Sequence, residues 1–275
     1  MTPVPVFTGQ PNDPFVSPDG QWIGFVDGRG VLKKVAVSGG PAVTVATLDT
    51  AGTRGATWAP DDTIIFATAV SATGLQRVAA SGGPITALTR PDPTRGEADH
   101  FWPETLPGGR AVLFTITQVE GGLDSAQVAV LDLQTGVRRI LVRGGSHAQY
   151  IASGHLVYVA SGALRAVPFD LDSLETHGPS LSVVDDVVTS GTGVVNAVMA
   201  GDGTLAYVSS VGVTGTPRTL VWVDREGHET PIPAPPLSSS GPIPRWQAAG
   251  RICERSGFRP LALGHGSHWA HSSHV

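Results

Sequence analysis

The feature that most constrains this chain is an internal repeat of turns and strands. Five stretches each join a turn to an apolar run: "FVSPDGQWIGFVDG", "ATWAPDDTIIFATA", "ETLPGGRAVLFTIT", "QYIASGHLVYVASG" and "AVMAGDGTLAYVSS". The spacings between successive copies are 42, 47, 46 and 48 residues when the equivalent points are Ser17, Ala59, Leu106, Ala152 and Ala200. A period of this size is typical of a repeat architecture, so we expect the chain to be built from copies of one unit.

Each copy continues with a second segment that has the pattern strand, turn, strand. Two of these turns have the same four residues, Ser-Gly-Gly-Pro, at Ser38–Pro41 and Ser81–Pro84. Glycine pairs close hairpins because glycine adopts positive φ without steric cost. Four strands at this period predict a β-propeller blade. The apolar period is near two residues, which excludes helical solenoids. An immunoglobulin-like sandwich is the alternative, but it does not explain a turn motif that returns five times.

Composition agrees with an all-β protein of short strands. The 275 residues include 35 glycines and 22 prolines, and only 15% of them are charged. Lys33 and Lys34 are the only lysines and the net charge is −5, so we expect no nucleic-acid partner. A single cysteine excludes an internal disulfide framework. We expect no membrane-spanning segment, because no run of 18 apolar residues occurs. The first 15 residues do not have the pattern of a secretory signal.

The repeat phrases resemble those of TolB-type propellers with PD-type, WD40-like repeats. Residues 17–236 are more specifically similar to the propellers that follow the kinase domain in many bacterial Ser/Thr protein kinases. The phrases that carry this resemblance include "SPDGQWIGF", "LKKVAVSGGPAVT", "LPGGRAVLFTI", "AQVAVLDLQTGVRRILVRGG" and "RTLVWVDREGHETP". The resemblance implies a sensor or protein-interaction module rather than a catalyst. Family propellers are typically extracytoplasmic, but the sequence leaves the compartment of this chain open.

Both ends of the chain depart from the repeat. Residues 2–9, "TPVPVFTG", predict one stray strand of a preceding blade, so that the expected fold is an incomplete propeller of about five four-stranded blades and this strand. A sixth repeat is due near residues 242–248, and codons compatible with Ile243–Gln247, shifted by one base, encode Ser-Pro-Asp-Gly followed by Lys or Arg. We therefore expect a propeller fragment over residues 1–242 and an out-of-frame sixth blade over residues 243–275. The histidines and Cys253 of this tail are then accidental.

The sequence offers few residues for chemistry. Kinase, Walker A and G-x-S-x-G motifs are absent, so we expect no catalytic residue, cofactor or metal site. The turn aspartates Asp19, Asp61, Asp62 and Asp202 each lie in a turn motif, and we expect them to form turns. Ser146 and His147, in "GGSHA", are predicted to lie in a loop between units. Lys33 and Lys34 are predicted to be solvated, and the tryptophans to pack between blades.

A ligand site, if present, is expected where a segment leads into an innermost strand at the mouth of the central channel. "ADHFWPETLPGG" is such a segment, and it makes His100, Trp102 and Glu104 the candidate ligand contacts. The predicted function is a non-catalytic interaction or sensor domain that binds a protein, peptide or small ligand. The alternatives are a propeller hydrolase or lyase, an accessory propeller of a peptidase, and a non-functional gene fragment.

Overall fold

The computed structural model describes residues 6–50, 52–71, 73–199, 205–208, 221–223 and 229–231. In this part of the chain the regular structure consists of β-strands and three short 3-10 helices, which are Pro93–Arg95, Pro107–Gly109 and Gly122–Ser125. The all-β prediction is therefore confirmed. No helix of the described residues is long and apolar enough to cross a bilayer.

The first two repeats each form a four-stranded antiparallel sheet in chain order. We call these sheets blades 1 and 2. The strands of blade 1 are β1 (Pro11–Val16), β2 (Trp22–Asp27), β3 (Val31–Ala36) and β4 (Val43–Thr47). The strands of blade 2 are β5 (Thr53–Trp58), β6 (Thr63–Thr68), β7 (Leu75–Ala79) and β8 (Thr86–Ala87).

Blades 3 and 4 follow the same order, and blade 4 has one strand more than predicted. The strands of blade 3 are β9 (Glu97–Thr105), β10 (Ala111–Gln118), β11 (Gln127–Asp132) and β12 (Arg138–Arg143). The strands of blade 4 are β13 (Ser146–Ile151), β14 (His155–Ala160), β15 (Ala163–Asp170), β16 (Glu175–Thr176) and β17 (Leu181–Val184). The two short strands β16 and β17 pair with different parts of β15.

The fifth repeat is present as two hairpins that we call blade 5. The first pairs β18 (Ala197–Met199) with β19 (Leu205–Tyr207), and the second pairs β20 (Val221–Val223) with β21 (Glu229–Pro231). The strands β19 and β20 are in contact. Two hairpins per repeat is the arrangement that the sequence predicts.

The core lies between neighbouring blades, because both faces of the middle strands are apolar. In β10, Val112, Phe114 and Ile116 belong to a buried cluster that includes Ile65 of blade 2. The alternate residues Ala111 and Leu113 belong to the cluster that blade 3 shares with blade 4. Successive residues of a strand point to opposite faces, so one strand serves two interfaces. Similar clusters join blade 1 to blade 2 and blade 4 to blade 5. This is a radial stack of sheets.

The repeated turns share one hydrogen bond and one backbone conformation. The N–H of the fourth turn residue donates to the carbonyl of the first, over 2.8–3.1 Å, at Ser17, Ala59, Leu106 and Ile151. The four donors all have positive φ, and they are Gly20 (69°), Asp62 (64°), Gly109 (70°) and Gly154 (78°). The equivalent point in the fourth repeat is thus Ile151 and not Ala152, one residue earlier than the sequence indicates. The Ser-Gly-Gly-Pro glycines also have positive φ, as predicted.

Three sequence predictions concern residues with little or no description. Residues 243–275 and Asp202 lie outside the described residues, so the shifted-frame hypothesis remains a prediction. Of the predicted stray strand, residues 6–9 are described and are irregular. The ring of Phe7 lies 4.5 Å from that of Phe25 on blade 1.

Candidate functional site

The innermost strand of each of blades 1 to 4 contains a bulge at the same repeat position. The register shifts fall between Asn12 and Phe15 in β1, between Thr53 and Ala56 in β5, beside Phe101 and Glu104 in β9, and between Ser146 and Gln149 in β13. The bulged residues have left-handed backbone, and they are Asp13 (φ 45°), Gly55 (91°), Trp102 (54°) and His147 (50°). Each lies seven positions before the left-handed turn residue of its repeat. We call these four residues the bulge ring.

The bulge ring lies where the blades meet at the centre of the stack. The first strands of successive blades contact one another, β1 with β5, β5 with β9 and β9 with β13. Asp13 reaches from blade 1 to blade 2, where it accepts hydrogen bonds from the Thr53 hydroxyl and, at 3.4 Å, from the Gly55 N–H. A bulge bends a strand and re-aims one side chain, so four bulges in register place four residues around one axis.

Trp102 contacts two segments outside its own blade. Its indole Nε1 donates to the carbonyl of Thr192, at 2.8 Å, and its ring meets that of His147 edge-on at 5.7 Å. The side chain is only 4% exposed. A bulky residue with positive φ is a genuine outlier and costs free energy that the surrounding contacts must supply. Trp102 therefore lies inside the channel wall, under the segment that leads into blade 5.

Ser146 and His147 correct the sequence prediction, because they lie in β13 and not in a loop. The Ser146 hydroxyl donates to the carbonyl of Gly193, at 2.8 Å, and the His147 N–H donates to Oγ1 of Thr115, at 2.9 Å. Both residues are buried. The hydroxyl is thus engaged with the main chain of a neighbouring segment. The run "GGSHA" gave no strand signal because a bulge interrupts the alternation of apolar residues.

His100 occupies a buried polar network rather than the surface of the channel. Its Nδ1 lies 2.7 Å from the Thr89 hydroxyl, and its Nε2 lies 3.2 Å from Oε2 of Glu97. Arg138 of β12 donates to both oxygens of Glu97, over 2.9 and 2.7 Å. The network joins the innermost and outermost strands of blade 3. A neutral imidazole with its proton on Nε2 satisfies both contacts, since Nδ1 then accepts from Thr89.

Burial sets the protonation of this network. Desolvation lowers the pKa of His100 to about 4, against the opposing pull of the Glu97 carboxylate. Burial alone would raise the pKa of Glu97, but the hydrogen bonds from Arg138, the Asp92 N–H and His100, together with the charge of Arg138, outweigh it and hold that pKa below its usual value. Burial also raises the pKa of Asp99, against the hydrogen bond from the His100 N–H. The network therefore holds a neutral His100 beside an ion pair.

The third predicted contact, Glu104, lies in β9 opposite Leu113 and is partly exposed. All three predicted residues are thus in the innermost strand of blade 3, as expected, but they do not form one cluster. Trp102 belongs to the bulge ring, and His100 to the buried network. Asp13 and His147 were not predicted as central residues, because nothing in the sequence marks the position seven residues before the turn as a bulge.

The lysines and turn aspartates have structural partners. Lys34 lies over two tryptophan rings of adjacent blades, 4.9 Å from Trp22 and 5.7 Å from Trp58. Lys33 pairs with Asp27 at 2.8 Å. The prediction that both lysines are merely solvated is therefore wrong. The described turn aspartates accept local hydrogen bonds, as expected, from partners such as the Gln21 and Thr63 N–H groups and the Trp58 indole. The described residues contain no group of three His, Cys, Asp or Glu that could hold a metal ion.

Comparison with known proteins shows likeness at the level of structure. No family model matches the chain, and no curated protein matches its sequence. A solved structure of the nidogen/laminin complex matches with a TM-score of 0.54 at 14% identity, over 72% of each chain. Virginiamycin B lyase from Staphylococcus aureus matches with a TM-score of 0.53 at 16% identity, over 87% of this chain and 75% of that chain.

TolB from Acinetobacter baumannii matches with a TM-score of 0.51 at 21% identity, over 74% of this chain and 53% of that chain. These identities establish the fold and leave activity open. Four sheets stacked radially, with two hairpins of a fifth, give the described residues the fold of an incomplete, TolB-like β-propeller.

Proposed function

We propose that this chain is a non-catalytic binding propeller whose ligand is a peptide held at the centre of the disc. The bulge ring is the observation that carries the proposal. Asp13, Trp102 and His147 hold left-handed conformations that L-residues rarely adopt. Strain of this kind costs about 1–3 kcal/mol per residue and is typical of sites that clamp ligands. The same position is strained in blades 1, 3 and 4 and is a left-handed glycine in blade 2, and this pattern favours a role for the centre of the disc.

The engagement of the polar groups favours binding over catalysis. A general base needs a reachable nitrogen, but the imidazole of His100 is 0% exposed and both of its nitrogens have partners within the protein. A serine nucleophile needs a base beside its hydroxyl, but the Ser146 hydroxyl donates to a backbone carbonyl. These groups stabilise the channel wall.

Structural neighbours are compatible with this role. The nidogen/laminin structure contains a propeller-like chain in a protein complex, whereas the virginiamycin B lyase is an enzyme. Propellers thus support both classes of function, and the decision rests on the site. The sequence phrases shared with propellers of bacterial Ser/Thr kinases support a sensor role in which binding is passed to a kinase. The DNA that flanks the gene tests this part, because an adjacent kinase reading frame is expected. Absence of that frame would remove the kinase link and leave the binding role.

Selection of a random heptapeptide library on the immobilised protein tests the binding role. We expect enriched peptides whose affinity falls at least tenfold in Trp102→Phe, which keeps an aromatic ring but lacks the indole N–H. Val137→Ser, at an exposed position in the β11–β12 turn, is the matched control and should bind like the wild type. The proposal fails if no peptide is enriched, or if the enriched peptides bind both variants with unchanged affinity.

A further inference from the structure

The segment between blades 4 and 5 folds into a compact turn that we call the strap, Ser190–Val194. The Ser190 N–H donates to the Val194 carbonyl at 2.8 Å, and the Gly193 N–H donates to the Ser190 carbonyl at 2.9 Å. The Ser190 hydroxyl also accepts from the N–H groups of Thr192 and Val194, at 3.3 and 3.2 Å. The strap is therefore a small, internally bonded unit that can dock as a whole.

Two side chains of other blades hold the strap by its main chain. Trp102 of blade 3 donates to the Thr192 carbonyl, and Ser146 of blade 4 donates to the Gly193 carbonyl, both at 2.8 Å. The two donors are 4% and 2% exposed. One is a member of the bulge ring and the other immediately precedes a member. Two buried donors from separate strands thus converge on two successive carbonyls, which is how a protein surface recognises peptide backbone.

The docking place of Gly193 has no room for a side chain. A Cβ at this position would lie 2.8 Å from the Ser146 hydroxyl oxygen and 2.9 Å from Cδ2 of Leu123. Gly193 also has a φ of 81°. At Gly191, in the same strap, a Cβ would meet nothing within 4 Å. The strap therefore fits against Ser146 and Leu123 only with glycine at position 193, whereas position 191 leaves room for a side chain.

We propose that Trp102 and Ser146 form a subsite for the main chain of a glycine-containing peptide turn, and that the strap occupies this subsite as an intramolecular ligand. This inference rests on the proposed binding function and names its ligand class. A partner with a similar turn displaces the strap and presents its own two carbonyls to the same donors. Displacement exposes Trp102 and the centre of the disc.

Competition with the strap determines how the subsite can be detected. A tethered ligand has an effective concentration of about 1 mM or more, so a free peptide binds the wild type weakly. The probe is a fluorescein-labelled, C-terminally amidated peptide with the sequence of residues 188–195, "VTSGTGVV". Its affinity for the full chain is measured by fluorescence anisotropy. The control peptide has Ala in place of Gly193.

Weakening the strap should strengthen binding of the probe. We expect Gly193→Ala to raise its affinity at least tenfold, because the new Cβ expels the strap. Gly191→Ala should bind like the wild type, since its Cβ meets nothing. Ser146→Ala added to Gly193→Ala should remove most of the gain, and the control peptide should show none. Ser190→Ala, which removes only the hydroxyl that closes the strap, should give a smaller gain in the same direction.

Circular dichroism and thermal unfolding establish that each variant is folded. The inference is overturned if Gly193→Ala and Ser190→Ala are folded and neither binds the probe more tightly than the wild type. If only Ser190→Ala folds, its result decides. Library peptides whose affinity for Gly193→Ala does not change when Ser146→Ala is added would also overturn this subsite, and they would leave the proposed binding function in place.

Discussion

At the scale of single residues, the sequence placed the three candidate contacts in one strand but did not predict what surrounds their side chains. "ADHFWPETLPGG" predicted His100 as a ligand contact because it precedes a repeat turn. The imidazole instead contacts Thr89, 11 positions away, and Arg138, 38 positions away. Partners at such distances cannot be read from spacing, since they depend on how the segment before β9 folds back over blade 3. Trp102 was identified by the same reasoning and does reach the centre.

The buried histidine predicts how stability depends on pH. The pKa of His100 is about 4 in the folded protein, and that of an unfolded histidine is about 6.5. As pH falls from 6.5 towards 4, this histidine takes up a proton in the unfolded state but stays mostly neutral in the folded state. The free energy of unfolding therefore falls. The loss reaches about 3 kcal/mol at most, and the contribution is fully present above pH 6.5. Urea unfolding between pH 4.5 and 8 measures this dependence.

His100→Gln provides the comparison for that measurement. The variant cannot take up the proton, so its free energy of unfolding should change less between pH 6.5 and 4.5 than that of the wild type. His177→Gln, at an exposed position, is the control and should keep the wild-type slope. An unchanged slope in His100→Gln would show that other groups carry the dependence.

At the scale of elements, turns were predictable and bulges were not. The turn residues with positive φ are Gly or Asp in the repeats of blades 1 to 4, and the repeat spacing predicted their positions to within one residue. A bulge leaves no such mark, because it inserts one residue and breaks the alternation that identifies a strand. "GGSHA" therefore looked like a loop although it begins β13. The strained members of the ring include a tryptophan, a bulky residue that rarely adopts left-handed backbone.

Two adjacent glycines test how tightly one turn meets the next blade. Gly108 and Gly109 have φ of 80° and 70°, but a Cβ on Gly108 meets nothing, whereas one on Gly109 lies 2.9 Å from Cδ of Pro60. Both alanine variants should be destabilised by about 1–2 kcal/mol, because alanine is disfavoured in left-handed backbone. Gly109→Ala should lose about 1–3 kcal/mol more, because it also overpacks the contact between blades 2 and 3. Chemical denaturation of both variants measures the difference in their free energies of unfolding. Equal losses would mean that Pro60 moves aside without destabilising the protein.

At the scale of the whole molecule, the repeat period predicted the radial stack correctly. A unit of four strands has two apolar faces and cannot bury both alone, so each copy must pack between two others. The clusters between blades confirm this from blade 1 to blade 5. The members of the bulge ring were beyond prediction, since they depend on which residues the stack brings to one axis. The members of the bulge ring are far apart in sequence, and so are Trp102 and Ser146, which donate to the strap.

Protection against hydrogen exchange should follow the position of each strand in its blade. The amides of β6 and β10 lie between two strands and among side chains buried on both faces. We expect them to exchange most slowly. The outermost strands β8 and β17 are short, have mostly exposed side chains and should exchange fastest. Hydrogen exchange followed by mass spectrometry tests this order, and uniform protection across each blade would contradict it.

The constant distance from bulge to turn also determines where the chain can change in length. Seven positions separate the two in each of blades 1 to 4, from Asp13 to Gly20, Gly55 to Asp62, Trp102 to Gly109 and His147 to Gly154. The interval from one turn to the next nevertheless varies, at 42, 47 and 45 positions. Insertions and deletions among the copies have therefore been accepted elsewhere, because one extra residue within the conserved stretch would turn every later side chain to the opposite face. Engineered grafts of foreign sequence belong in the connections that already differ in length.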